Sequence, residues 1–218
     1  MADRCLLYYI TDRSQFPGDE SARRHALLAK VAEAARAGVD YIQLREKDLC
    51  TRELETLARE VVAAVRENSP STCLLINSRT DVALAAGADG VHLRADDVSP
   101  HEVRQVVEFS AHRPTTADHF IVATSCHTVA DVFRAESEKA DFAVFGPVFG
   151  KRGLAGTSSA GLAALRDACR AKIPVLALGG VTIENVASCL DAGAGGVAGI
   201  RLFQENEIDD VVRALRTH

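Results

Sequence analysis

The sequence lacks an excess of basic charge: 25 Lys and Arg stand against 30 Asp and Glu, a net charge of −5. That balance excludes the broad basic face that neutralises a nucleic-acid backbone, so any anion site has to be local. No apolar run approaches the length of a membrane span, and the start, MADRCLLYYI, reads as a charged tip running into a strand rather than a leader. Neither a nucleic-acid nor a membrane partner is therefore expected. The six cysteines (Cys5, Cys50, Cys73, Cys126, Cys169 and Cys189) form no C-x-x-C pair and no zinc-like spacing. They read as reduced thiols of a cytoplasmic protein. No G-x-G-x-x-G follows the first apolar run, which removes the main signature of a dinucleotide-binding open sheet.

What is present is a regular alternation. With 218 residues, 47% of them hydrophobic, the chain can bury a large core, and one domain over residues 1–218 is expected. Apolar runs at 6–10, 39–44, 73–76, 90–93, 120–123, 142–145, 174–178 and 196–200 have strand length, and amphipathic helical patterns separate them. Leu54, Leu57, Ala58, Val61, Val62 and Val65, for example, share one helical face. Ser99-Pro100-His101-Glu102 has the form of a capping box with proline at the first helical position. Ser78, with Asp81 three residues on, reads as another N-cap, and Thr182 as a third. Residues 108–119 form the longest polar helix-to-strand loop, and the glycine-rich stretch 146–159 is a candidate lid. The segments AGVDYIQL, AGADGVHL, KADFAVFG and AGAGGVAG form a weak internal repeat, each placing a helix stop before a strand. Eight such units predict an α/β fold, a (β/α)₈ TIM barrel, in preference to a doubly wound open sheet.

Chemistry in such folds gathers at the carboxyl ends of the strands. In VDYIQLREKD an apolar run passes directly into Gln43, Arg45, Glu46, Lys47 and Asp48. Arg and Lys together offer a planar donor fork and a point charge, which suits phosphate, although a solvated charged turn has the same composition. After the seventh strand Gly179-Gly180, and after the eighth Gly199-Ile200-Arg201-Leu202, occupy positions where a barrel commonly binds phosphate. His127 follows the fifth strand and could serve as a general acid or base, or stand inert at a helix start. His92, within a strand, reads as a satisfied core residue.

Several separate stretches resemble the thiamine phosphate synthase family, a superfamily that also contains thiazole tautomerases. They are QLREKD from Gln43, LINSRTDVALAAGADGVHL from Leu75, Asp97, SCHT from Ser125, FGPVF from Phe145 and ALGGVTIENV from Ala177. The resemblance implies a barrel enzyme of thiamine biosynthesis that joins a hydroxymethylpyrimidine diphosphate to a thiazole phosphate, releasing diphosphate with Mg²⁺. It implies diphosphate contacts from Arg45, Lys47 and Asn77, a pyrimidine contact from Gln43, a magnesium ligand in Asp97, and a thiazole-phosphate contact at Gly180. Ser125 would lie near the reacting groups, and His127 matches the proton-transferring histidine of the tautomerases. Three departures stand out: Ser78 where the synthases generally have a second carboxylate, Gly150-Lys151-Arg152-Gly153 in place of a Thr-x-Thr-Lys element, and Arg201 in place of a serine. Lys151 or Arg152 could replace the missing lysine. A tautomerase and a non-catalytic phosphate-ligand-binding barrel remain alternatives, and a homo-oligomer is compatible with the sequence.

Overall fold

The computed structural model describes residues 4–110, 119–150 and 159–216. Eight parallel strands close into a barrel in sequence order: β1 (Leu6–Ile10), β2 (Tyr41–Leu44), β3 (Cys73–Asn77), β4 (Gly90–Leu93), β5 (Ile121–Cys126), β6 (Phe142–Phe145), β7 (Val175–Leu178) and β8 (Gly196–Gly199). The expected (β/α)₈ barrel is thus the fold. Helices α1 (Glu20–Arg36), α2 (Thr51–Asn68), α3 (Thr80–Ala86), α4 (Pro100–Phe109), α5 (Val129–Ser137), α6 (Gly161–Ala168), α7 (Val186–Asp191), α8 (Arg201–Gln204) and α9 (Ile208–Arg216) follow in the same order. The candidate lid beyond Gly150, with Lys151 and Arg152, lies outside the described residues, as does most of the polar loop before β5.

Side chains alternate across each strand, which divides the apolar residues into two cores. The outer one packs helices on strands and includes Leu7, Leu27, Ile42, Leu57, Val61, Ile76 and Val122. The inner one fills the barrel with Tyr8, Ile10, Leu75, Ala123, Phe142, Val144, Leu176 and Ala198. Tyr8 meets Phe142 edge-on at 5.5 Å and Tyr41 at 5.9 Å, so three rings close the barrel floor. Glycine is demanded at Gly90, where a Cβ would stand 2.1 Å from the Ile121 carbonyl oxygen of the next strand.

Helix starts follow the sequence in part. Ser99 and Glu102 form the expected capping box of α4. Ser78 is not a cap: it sits at φ 61° before Arg79, the N-cap residue of α3, and its hydroxyl accepts from Asn77 Nδ2 at 3.2 Å. The bland role assigned to that serine therefore falls away. Thr182 does not cap α7 either. Its N–H donates to Asn185 Oδ1 at 2.8 Å in a turn, and the helix begins only at Val186.

Arg13 joins the loops after β1 and β2. Its side chain is 4% exposed and its Nη1 reaches Glu46 at 3.0 Å and Asp48 at 2.7 Å, while Nε reaches Glu20 at 2.7 Å. Glu46, 2% exposed, also accepts from the Thr11 hydroxyl at 2.6 Å. Removing one partner of such a pair strands the other charge in the interior. Arg13→Ala is expected to lower unfolding free energy by about 3 to 5 kcal/mol in urea titrations. A paired Arg13→Met, Glu46→Leu exchange should recover most of that loss.

Candidate active site

The top of the barrel interior is polar on one side. In the inward-facing phase, β2 supplies Gln43, β3 Asn77, β4 His92 and β5 Ser125, and the opposite side presents Leu178, Ile200 and Ile10. The strand register places Asn77 beside His92. A mouth with one polar wall and one apolar wall can hold a flat heterocycle while its charged groups stay on the polar side.

The REKD sequence divides its charges by direction. Arg13 takes up Glu46 and Asp48, and holds the Asp48 carboxyl below its ordinary range by hydrogen bonding. Arg45 and Lys47 are left with no anionic partner among the described residues. They stand close enough that Arg45, followed by burial and then Arg94, pushes the Lys47 ammonium down. Unpaired cations that repel one another are what an anion-binding site requires. Arg94, on the loop after β4, adds to this positive field although it is itself paired with Asp96 and Asp97.

Asp97 lies below Arg94: it accepts from the Arg94 backbone N–H at 2.7 Å and from Nε at 3.2 Å. No group of three His, Cys, Asp or Glu side chains is placed to hold a metal among the described residues. Mg²⁺ keeps several waters and takes substrate phosphate oxygens as ligands, so one protein carboxylate suffices, and Asp97 would fit that role once freed from Arg94. Ser78 adds no charge. Arg94, Asp97 and Ser99 after β4 and Asp131 and Arg134 of α5, with Glu138 at its end, line a cavity of about 240 Å³ between that loop and the helix, which also touches Ser125 and Cys126.

At the other side, Gly179 and Gly180 have φ 94° and 65°. A Cβ on Gly179 would lie 2.6 Å from Pro147 Cα, and one on Gly180 2.8 Å from Phe149 Cβ. The loop after β6 therefore lies directly on these glycines, with Val148 N–H on Leu178 O at 2.8 Å and Phe149 N–H on Gly179 O at 3.0 Å. At the end of β8, Gly199 and then Ile200 lead into α8, whose first residue, Arg201, is exposed and has no anionic partner among the described residues. His127 is exposed, and its Nδ1 lies 2.7 Å from the Gly146 carbonyl. A carbonyl only accepts, so Nδ1 carries the proton and Nε2 of a neutral ring is left as a base. A Thr128–Asp131 capping box holds the His127 backbone, with its N–H on Asp131 at 3.1 Å.

Sequence reasoning treated His92 as a core residue and missed what it joins. His92 is 2% exposed, with Nδ1 at 3.1 Å from the Tyr8 hydroxyl and Nε2 at 2.8 Å from Ser125 Oγ. Burial holds its pKa down to about 3. Tyr8 gave no separate signal beyond its inward phase in β1.

The model of the thiamine monophosphate synthase family matches residues 7–203. A thiamine-phosphate synthase of Methanoculleus marisnigri is 38% identical over 216 residues, covering 96% of this chain and 93% of the relative. One from Clostridium novyi is 34% identical over 218 residues, covering 97% and 95%. In structure, a thiamine phosphate pyrophosphorylase from Pyrococcus furiosus superposes with TM-score 0.78 at 28% identity, over 99% of this chain and 95% of that one. A 3-hexulose-6-phosphate synthase, at 18% identity and TM-score 0.64, shares the fold.

The neutral His92 sets a pH dependence. The imidazole protonates near pH 6.5 in an unfolded chain but only near pH 3 in the folded one, so the unfolded state binds more protons below pH 6.5. Stability contributed by this group is present above pH 6.5 and is lost as pH falls toward 3, reaching about 2 kcal/mol at pH 5. Denaturant titrations of the wild type and His92→Gln should show a shallower decline between pH 7 and pH 5 in the variant.

Proposed function

The chain belongs to the thiamine monophosphate synthase family, and we propose that it is a transferase joining hydroxymethylpyrimidine diphosphate to thiazole phosphate with release of diphosphate. The observation that carries this reading is the two cations at the end of β2, Arg45 and Lys47, left without anionic partners among the described residues while Arg13 takes up Glu46 and Asp48. The bond between the pyrimidine methylene and the diphosphate breaks with its electron pair leaving on oxygen, and the thiazole nitrogen supplies the pair for the new carbon–nitrogen bond. Negative charge therefore grows on the departing diphosphate, and fixed donors aimed at it lower the barrier.

In this scheme Arg45, Lys47 and Asn77 bind the diphosphate, and Gln43 meets the pyrimidine from the polar wall. Gly179, Gly180, Gly199, Ile200 and Arg201 receive the thiazole phosphate, Ser125 adjoins the reacting groups, and Lys151, outside the described residues, is a further candidate substrate contact. Asp97 would hold Mg²⁺, which when bound adds positive charge against the leaving group. Arg94 has to release Asp97 for that, so metal affinity without substrate is expected to be poor.

A second reading, thiazole tautomerase, is favoured by one observation: the Nδ1 contact of His127 with Gly146, which leaves Nε2 as a proton acceptor. Assays on both substrate sets, with and without Mg²⁺, separate the readings. A synthase should lose Mg²⁺-dependent turnover in Asp97→Ala and retain most of it in His127→Ala, and Ser78→Asp should tighten Mg²⁺ binding. Metal-independent proton transfer that survives Asp97→Ala and fails in His127→Ala would establish the tautomerase instead.

Arg45→Ala and Lys47→Ala are each expected to reduce turnover of the diphosphate substrate about a hundredfold. Their unfolding free energies should move by less than about 0.5 kcal/mol, since neither cation has an ion-pair partner to lose. Matching losses of stability and activity would point to a structural role.

A further inference from the structure

Four side chains form a continuous hydrogen-bonded line across the barrel interior. Gln43 Nε2 donates to the Tyr8 hydroxyl at 3.0 Å, that oxygen lies 3.1 Å from His92 Nδ1, and His92 Nε2 lies 2.8 Å from Ser125 Oγ. Tyr8, Gln43 and His92 are buried, and Ser125 is half-buried in the inward phase near the carboxyl end of β5.

Counting protons ties the direction of the line to the Gln43 amide, whose Nε2 faces the Tyr8 hydroxyl. Burial keeps His92 neutral, so the ring carries one N–H, and it keeps the Tyr8 phenol protonated. Gln43 already donates to the Tyr8 oxygen, so the phenolic proton goes to the acceptor within reach, His92 Nδ1. The ring proton is then on Nε2 and is donated to Ser125 Oγ. Among the described residues nothing accepts from the Ser125 hydroxyl, so its own proton is free to point into the mouth. The opposite order is equally self-consistent if the Gln43 amide is reversed. Its oxygen would then accept from Tyr8, Nδ1 would carry the ring proton, and Ser125 would donate inward to Nε2. The orientation of one buried amide thus decides whether Ser125 offers a proton to the mouth.

Resting on the synthase reading, we infer that Tyr8 and His92 are positioning residues that, oriented by Gln43, fix Ser125 as a hydroxyl donor toward the bound substrate. The departing diphosphate gains negative charge as its bond breaks, so a donor held in advance favours the transition state over the ground state.

The test combines spectroscopy and kinetics. In ¹⁵N-labelled full-length protein, the imidazole signals absent from His92→Gln belong to His92. They should report the Nε2–H tautomer, without titration between pH 5 and pH 8. Tyr8→Phe keeps the ring and its packing and removes only the hydroxyl. Its kcat should fall about tenfold or more with KM for the diphosphate substrate within about twofold, and in a Ser125→Ala background it should cause no further loss. An Nδ1–H tautomer in the wild type, full kcat in Tyr8→Phe, or losses that simply multiply in the double variant would overturn the inference. Should Tyr8→Phe fail to fold, the wild-type tautomer decides alone. Because that measurement needs no turnover, absence of synthase activity would sink the functional reading while the tautomer still judges the relay.

Discussion

The site depends on the burial of Arg13. A cationic fork placed between Glu46, Asp48 and Glu20 satisfies three carboxylates and ties the ends of β1 and β2 together. Without it, the Arg-Glu-Lys-Asp run would neutralise itself within its own turn. Because the two acids are turned toward Arg13, the two bases that alternate with them remain unbalanced, and the mutual repulsion of Arg45 and Lys47 is available for offset by a ligand. The fold thus uses a cation to create a cationic site: the interior ion group supplies local specificity of direction rather than net stability.

A second constraint is the division of the barrel interior. Rings and aliphatic side chains fill the floor, and among the described residues the polar side chains of the interior gather near the carboxyl ends of β2 to β5, with the Tyr8 hydroxyl joining them from β1. Each of those polar groups is held by another: Gln43 by Tyr8, His92 by Tyr8 and Ser125, Asn77 by Ser78. Such linkage keeps buried polar atoms satisfied, which a barrel this tightly filled requires.

Much of the fold was legible because strand length, glycine stops and helical periodicity agreed eight times over, and β1 and β4 carry the very limits their apolar runs suggest. The helix caps were less so. Ser78 and Thr182 have the right residue type, but backbone geometry decided the matter: a positive φ at one and a turn closed by Asn185 at the other. Of the site, Arg45 and Lys47 could be read from their place after a strand. The Arg13 network could not, since its partners lie 33 and 35 residues away and only the closed barrel brings them together. Tyr8 was hidden for a related reason: an inward tyrosine in a strand has the same pattern whether its hydroxyl is idle or shared.

The seating of Gly179 and Gly180 beneath Pro147 and Phe149 bears on how this barrel could be redesigned. Loops at the mouth of such barrels are often regarded as independent parts, each replaceable on a fixed scaffold. Here the turn after β7 is the surface on which the loop after β6 is moulded, through two backbone bonds and contacts too close for any side chain. The two are one exchangeable cassette. A graft that imports a new loop at position 146 onward would need to bring the matching 178–180 turn, or the incoming backbone would meet carbon atoms where it expects none.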